Sequence, residues 1–145
     1  MKDRFQNFTV LISQISRNIK RIKTEEMKEF NLKAPHVSCL YYIYKEGSLT
    51  AVQLTDICSE DKASISRSLD YLEENGFIIC EDEKKKKYNS ILKLTPKGIQ
   101  AGEKLHKKVQ AVLNEAGAGL TEENRKIFYE SLQLISNNLN EIVNK

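Results

Sequence analysis

Apolar residues near the start of the chain fall at Phe5, Phe8, Ile12, Ile15, Ile19 and Ile22, spaced three, four, three, four and three. That alternation is a heptad seam, a narrow stripe suited to one helix lying against another rather than to a helix resting on a globular core. The far end repeats it with Phe128, Leu132, Ile135, Leu139 and Ile142, and Leu105, Val109, Val112 and Ala116 repeat it in between. Three helices of one intramolecular bundle would explain such seams. Because they lie at opposite ends of a short chain with a differently patterned middle, the pattern favours two copies interlocked through their ends.

The middle is divided by local signals. Pro35 sits in the first turn of APHVSCLYYIYKE, where its missing N–H costs nothing, and Gly47 ends that helix. Thr50 and Gln53 have capping-box spacing for a short helix whose Leu54 and Ile57 are expected to face inward. Asp61 is the expected cap of a third helix, about 61–75, which buries Ile65, Leu69 and Leu72 and stops at Asn75-Gly76. FIICE and SILKL read as two strands of a hairpin with a charged turn between them. Thr95-Pro96 opens a long helix, AGAG at 116–119 breaks it, and Thr121 with Glu122 and Glu123 opens the last one.

The third of these helices carries an unusual outer face. Turned away from its buried stripe are Ala63, Arg67 and Asp70, with Ser66 beside them and Ser64 near the first turn. Small hydroxylated residues let a polar backbone come close. Serine hydroxyls can bond phosphates or base edges, and one arginine can reach a guanine edge or a phosphate. Tolerated surface residues would look the same in isolation. A short capped helix just before and a basic hairpin just after are what insertion into a DNA groove requires. Lys84, Lys85, Lys86 and Lys87 form the turn of that hairpin, directly after Glu81, Asp82 and Glu83. Beside such a helix, four lysines suit an arm that follows the phosphate backbone or enters a minor groove.

Composition narrows the class. The net charge of +3 over 145 residues excludes a uniformly basic nucleic-acid coat. No apolar run approaches the ~18 residues of a membrane span, and the first residues show no secretory signal. Cys39, Cys58 and Cys80 are far apart and form no CxxC pair, so a reduced, cytoplasmic setting is expected. His36 and His106 each stand alone, without the spacing of a zinc motif. No GxSxG, no cysteine with an evident base and no glycine-rich phosphate loop is present. The expectation is a non-enzyme with no catalytic residue, metal or cofactor. Tyr41, Tyr42 and Tyr44 read as core or as the wall of a ligand cavity.

DKASISRSLDYLEENGFI, the charged hairpin and LKLTPKG together resemble the recognition helix, wing and following helix of MarR-type winged helix repressors. The similarity extends back through LKAPHVSCLYYIYKEGSLTAVQLTDIC, and the flanking heptad helices fit that family's dimerisation region. The fold so implied is mainly α with a small two- or three-stranded β wing. Residues 32–98 would form a winged helix-turn-helix lobe, with the recognition helix at about 61–75 and the wing at about 77–94. Residues 1–30 and 99–145 would form the dimerisation helices.

The resemblance further implies a homodimer on a pseudo-palindromic operator in double-stranded DNA. Lys62, Ala63, Ser64, Ser66 and Arg67 match the family's major-groove positions, and Lys84–Lys87 match its wing tip. A small aromatic or phenolic effector would enter a crevice for which Arg17, His36 and Cys39 are candidates. Lys86 and Tyr88 stand where the family usually has an Asp-x-Arg pair bracing the wing. No cysteine stands early in the first helix, where peroxide-sensing members carry one, and Cys39 and Cys58 read as packing residues. The implied activity is transcriptional regulation, most simply repression relieved by the ligand. The rival readings are a winged helix used only for protein–protein contact and an enzyme with a dispersed site.

Overall fold

A computed structural model describes residues 3–81 and 89–145. Asp3 accepts the Gln6 N–H at 2.8 Å and so starts a helical run. Its first stretch, Gln6–Val10, has π geometry and leads into α1, Leu11–Glu26. Met27 is fully buried after α1, and a short 3-10 turn, Lys28–Phe30, ends at Asn31 in the left-handed region, φ 58°. The helix α2, Ala34–Glu46, follows, with Pro35 in its first turn and Gly47 at its end, φ 84°. Only a residue without Cβ adopts that backbone cheaply.

Next come β1 (Ser48–Thr50), α3 (Ala51–Cys58) and α4 (Lys62–Glu74). The expected capping box of α3 is formed: Thr50 Oγ1 accepts the Gln53 N–H at 3.2 Å, and Gln53 Oε1 accepts the Thr50 N–H at 2.9 Å. β2 (Ile78–Cys80) and β3 (Ile91–Leu94) complete a three-stranded antiparallel sheet in the order β1-β3-β2. Leu49 pairs with Leu92, and Ile79 with Lys93. The hairpin was therefore legible, and the third strand is β1, just ahead of the capping box. The turn from Asp82 to Tyr88, with the four lysines and the Lys86 and Tyr88 positions, lies outside the described residues. Two long helices close the chain, α5 (Pro96–Ala116) and α6 (Glu122–Val143), the latter capped by Thr121 on the Asn124 N–H at 3.1 Å.

Two compact units result. The first runs to Lys108 and the second spans Val109–Lys145. The first has a core built from Leu40, Ile43, Leu54, Ile65, Leu69, Leu72, Phe77, Ile78, Leu92 and Leu105, all at or below 2% exposure. The stripe Ile65, Leu69, Leu72 is the one expected from spacing, and each such side chain contributes roughly 1.5–3 kcal/mol by leaving water. Ile57 differs from expectation, being 42% exposed. The inward stripe of α3 runs instead through Ala51, Leu54 and Cys58, which keeps the three-then-four spacing of one helix face.

The exit of α4 is tied to the start of α5. The Phe77 N–H donates to the Leu72 carbonyl at 2.8 Å, and the Phe77 carbonyl accepts the Thr95 N–H at 3.0 Å. Lys97 donates to the Asn75 carbonyl at 2.8 Å and lies over the Phe77 ring. Gly98 makes this possible: a Cβ there would stand 2.1 Å from the Phe77 carbonyl oxygen. Gly98→Ala is expected to destabilise the protein by about 1–3 kcal/mol. The gain in helix propensity, at most about 1 kcal/mol, is smaller than the cost of moving a hydrogen-bonded backbone. Chemical denaturation checks this, and an unchanged midpoint would contradict the close approach. At Gly102 an added Cβ would stand 2.7 Å from Tyr44 Cδ2 and 2.9 Å from Tyr44 Cβ; because the Tyr44 Cβ is fixed to its backbone, moving the ring cannot make room, and Gly102→Ala should be destabilising too.

Among the described residues, both terminal seams are left partly exposed. Neither α1 nor α6 contains a buried residue. Phe5, Phe8, Ile12, Ile15, Ile19 and Ile22 are 38–76% exposed, and Phe128, Leu132, Ile135, Leu139 and Ile142 are 36–62% exposed.

Candidate nucleic-acid interface

Helix α4 is held by the two helices before it and presents its opposite face to solvent. Lys62, Ala63, Ser66, Arg67 and Asp70 are exposed, while Ser64 is half-buried. The turn from α3 to α4 is Ser59-Glu60-Asp61, with Ser59 in the left-handed region at φ 50°. A residue with a Cβ pays about 1–2 kcal/mol for that conformation, so the angle between the helices is set by the packing around it.

The first turn of α4 is a relay of polar contacts. Asp61 Oδ1 accepts the Ser64 N–H at 2.7 Å, the cap expected from sequence. The Ser64 hydroxyl lies 3.3 Å from Asp61 Oδ2 and accepts from Arg67 Nη2 at 3.2 Å. The Asp61 carboxyl is held below its ordinary range, first by the Ser64 N–H and further by the Ser64 hydroxyl, the Arg67 charge and the Ala63 N–H, with burial opposing. It is therefore an ionised acceptor at neutral pH. The relay aims the guanidinium along the outer face. Ser64, matched to a groove-contacting position, spends its hydroxyl inside the protein and serves here to orient Arg67. Sequence reading took Asp61 as a cap alone. The three-residue spacing Asp61, Ser64, Arg67 was the available signal, since such positions are neighbours on a helix.

Beside α4, the sheet carries charge to the base of the hairpin, where Lys93 pairs with Glu81. Lys84, Lys85, Lys86 and Lys87 belong to the stretch outside the described residues, so their relation to α4 rests on the sequence.

The three effector-crevice candidates have separate surroundings. His36 stacks on Tyr71 of α4, ring centroids 4.0 Å apart and planes within 5°. Its Nδ1 accepts the Lys33 N–H at 3.1 Å. Burial first, and then the charge of Lys33, hold the imidazole below its usual range, which keeps that nitrogen an acceptor. Tyr71 in turn donates to the Asn31 carbonyl at 2.6 Å. His36 thus fastens the start of α2 to α4. Cys39 is buried on α2, and Arg17 is exposed on α1. The tyrosine cluster is half-buried. His106 of α5 lies between Tyr41 and Tyr44, ring centroids 6.2 and 6.1 Å away. Among the described residues His106 Nδ1 has no partner, although it is shielded from solvent. Among the same residues, no three His, Cys, Asp or Glu are placed to hold a metal ion, and no helix is long and apolar enough to cross a membrane.

Comparison with known proteins places this geometry. A family of winged helix DNA-binding domains matches residues 36–113. A MarR family transcriptional regulator from Listeria monocytogenes, solved with a 26-mer DNA, is 29% identical, with a TM-score of 0.81 over 96% of this chain and 90% of that one. A MarR family regulator from Neisseria meningitidis is 17% identical, with a TM-score of 0.84 over 99% of this chain and 100% of the other. An organohalide-sensing transcriptional regulator in a 2,4-dichlorophenol-bound form is 23% identical, with a TM-score of 0.78 over 95% and 82%. No curated protein matches the sequence.

Proposed function

Since the chain belongs to the MarR family of winged helix DNA-binding transcriptional regulators, we propose that it acts as a homodimer on a pseudo-palindromic operator. It would serve as a repressor released by a small aromatic effector. The observation that carries this reading is the exposed, small-residue face of α4 with Arg67 aimed along it by Ser64 and Asp61. Each subunit would insert one α4 into a major groove. Arg67 reads a base edge, Lys62, Ala63 and Ser66 allow close approach, and Lys84–Lys87 follow the phosphates. Two exposed heptad seams supply the reason for pairing. The family and fold are those of transcription regulators, not of enzymes, and the site of action would be the cytoplasm, where operator DNA lies.

An effector would act by favouring a dimer geometry in which the two copies of α4 no longer match grooves about 34 Å apart. The packing of α2 on α5 offers one feature for it. His106 Nδ1 lacks a partner among the described residues, amid Tyr41 and Tyr44, and a phenolic hydroxyl would satisfy it where aromatic rings already stack.

Selection of bound DNA from random sequence tests the reading. An inverted repeat should be enriched, whereas a protein–protein adaptor enriches none. With the selected site in hand, converting Lys84–Lys87 to alanine should weaken binding to all sequences alike. It should also flatten the dependence of log K on log salt by about 0.9 for each phosphate that the lysines no longer neutralise. An unaltered slope would remove the wing lysines from the interface.

A further inference from the structure

Helix α1 has no buried residue, so its direction depends on how its last turn is joined to the rest of the lobe. Polar contacts make that joint. Thr24 Oγ1 accepts the Ala34 N–H, at the start of α2, at 3.1 Å. Lys23 Nζ donates to Ser38 Oγ, one turn further along α2, at 2.9 Å. Lys108 of α5 donates to the Glu26 carbonyl at 2.6 Å.

From the other side, α4 takes hold of the same stretch of chain. The Tyr71 ring stacks on His36 with centroids 4.0 Å apart, and the Tyr71 hydroxyl donates to the Asn31 carbonyl at 2.6 Å. The stack alone would let the two rings slide over each other; the hydroxyl bond fixes where the tyrosine stops. The stretch it grips has little slack. Met27, Leu32 and Val37 pin it in the core at 0–2% exposure. Asn31 is left-handed at φ 58°, and Pro35 has a fixed φ and restricts Ala34 before it. His36 is itself held, since its Nδ1 accepts the Lys33 N–H at 3.1 Å.

We propose that Tyr71 is a positioning residue for operator recognition: through His36 and Asn31 it locks α4 to the end of α1, and so sets the distance between the two copies of α4 in a dimer. The proposal rests on the dimeric, DNA-binding function put forward above. Arg67 faces outward on α4, whereas Tyr71, one turn beyond it, has its ring and hydroxyl committed inside the lobe. Where the seam of α1 meets a second copy, α1 is fixed with respect to the pair. Any play in the joint then becomes a misplacement of α4 against grooves about 34 Å apart. On an isolated half-site such play has no effect, because a single lobe docks freely. On the full site it lowers affinity, because two lobes must dock at once.

The test compares three duplexes: the selected inverted repeat, the same repeat with a base pair inserted or removed between its halves, and a single half-site. Tyr71→Phe keeps the ring and removes the hydroxyl bond. It should bind the full site roughly fivefold or more weakly, since one bond is lost in each subunit. It should bind the half-site like the parent, and discriminate less between correct and altered spacing. His36→Gln keeps an acceptor for the Lys33 N–H in capping-box position but has no ring to stack, and should move all three readouts the same way. Thr24→Val cuts the joint from the α1 side and should do likewise. Combined with Tyr71→Phe it should be little worse than the poorer single variant, because both break one path.

Equal losses on half-site and full site would place the effect of Tyr71 inside the reading helix and overturn the proposal. Unchanged discrimination between spacings, or full additivity with Thr24→Val, would do the same. If the parent protein enriches no DNA sequence, the operator reading fails by itself. Amide exchange at Ala34 still decides the joint: it should quicken in Tyr71→Phe, and an unchanged rate would overturn it.

Discussion

Arg67→Ala is expected to abolish operator preference while a weaker, salt-sensitive association with any duplex remains. A bidentate contact from arginine to a guanine edge discriminates by about 1–3 kcal/mol, and a dimer makes it twice, so the selected site should lose roughly two orders of magnitude or more over a scrambled one. Phosphate contacts elsewhere are untouched, and the salt slope should stay near its parent value. Arg67→Lys should not rescue, because an ammonium lacks the planar fork. Ser64→Ala provides the finer comparison. The Asp61 cap on the Ser64 backbone N–H survives, but Arg67 loses the hydroxyl that orients it. Part of the preference should therefore go while the melting temperature barely moves. Competition binding against scrambled duplex at two salt concentrations separates these outcomes. A wild-type preference in Arg67→Ala would remove α4 as the reader of sequence.

What could be read from sequence was local chemistry. Asp61, Thr50 with Gln53, and Thr121 are caps whose partners lie three residues away, and Gly47 and Gly76 end helices with positive φ. Such signals need no knowledge of the fold. The strand β1 was missed because three residues carry no period; Ser48–Thr50 is a strand only because Leu49 meets Leu92, far along the chain. Ile57 misled for a related reason. Two spacings from Leu54 were open, and only packing against α2 selects Cys58 over Ile57 for the inward face. His36 offered no distinguishing sign in sequence, since its stacking on Tyr71 joins distant helices. The Arg67 relay was legible in principle, and required only that the spacing of Asp61, Ser64 and Arg67 be read as a chain of hydrogen bonds.

The seams of α1 and α6 carry the second large expectation. A 22-residue helix with no buried residue gains little from its own chain, and isolated helices depend on packing of their apolar face to be stable in water. Leu139→Glu places a carboxylate within the α6 seam, where pairing of two copies through that seam would bury it. An unpaired buried charge costs several kcal/mol. A dimer paired through this seam should therefore dissociate at micromolar concentration in sedimentation velocity, and Ile15→Glu on α1 should act in the same direction. Asn137→Glu, on the opposite face of α6, should leave the mass unchanged. Operator affinity should fall by about 10²–10⁴ in the monomeric variant, because the second half-site is no longer held at high effective concentration. A half-site duplex, by contrast, should bind parent and variant with similar affinity, since α4 and its Asp61–Ser64–Arg67 relay lie in the other unit of the chain. That contrast separates loss of pairing from loss of fold. A variant that stays dimeric with glutamate at 139 would show that the α6 seam is not where two copies meet.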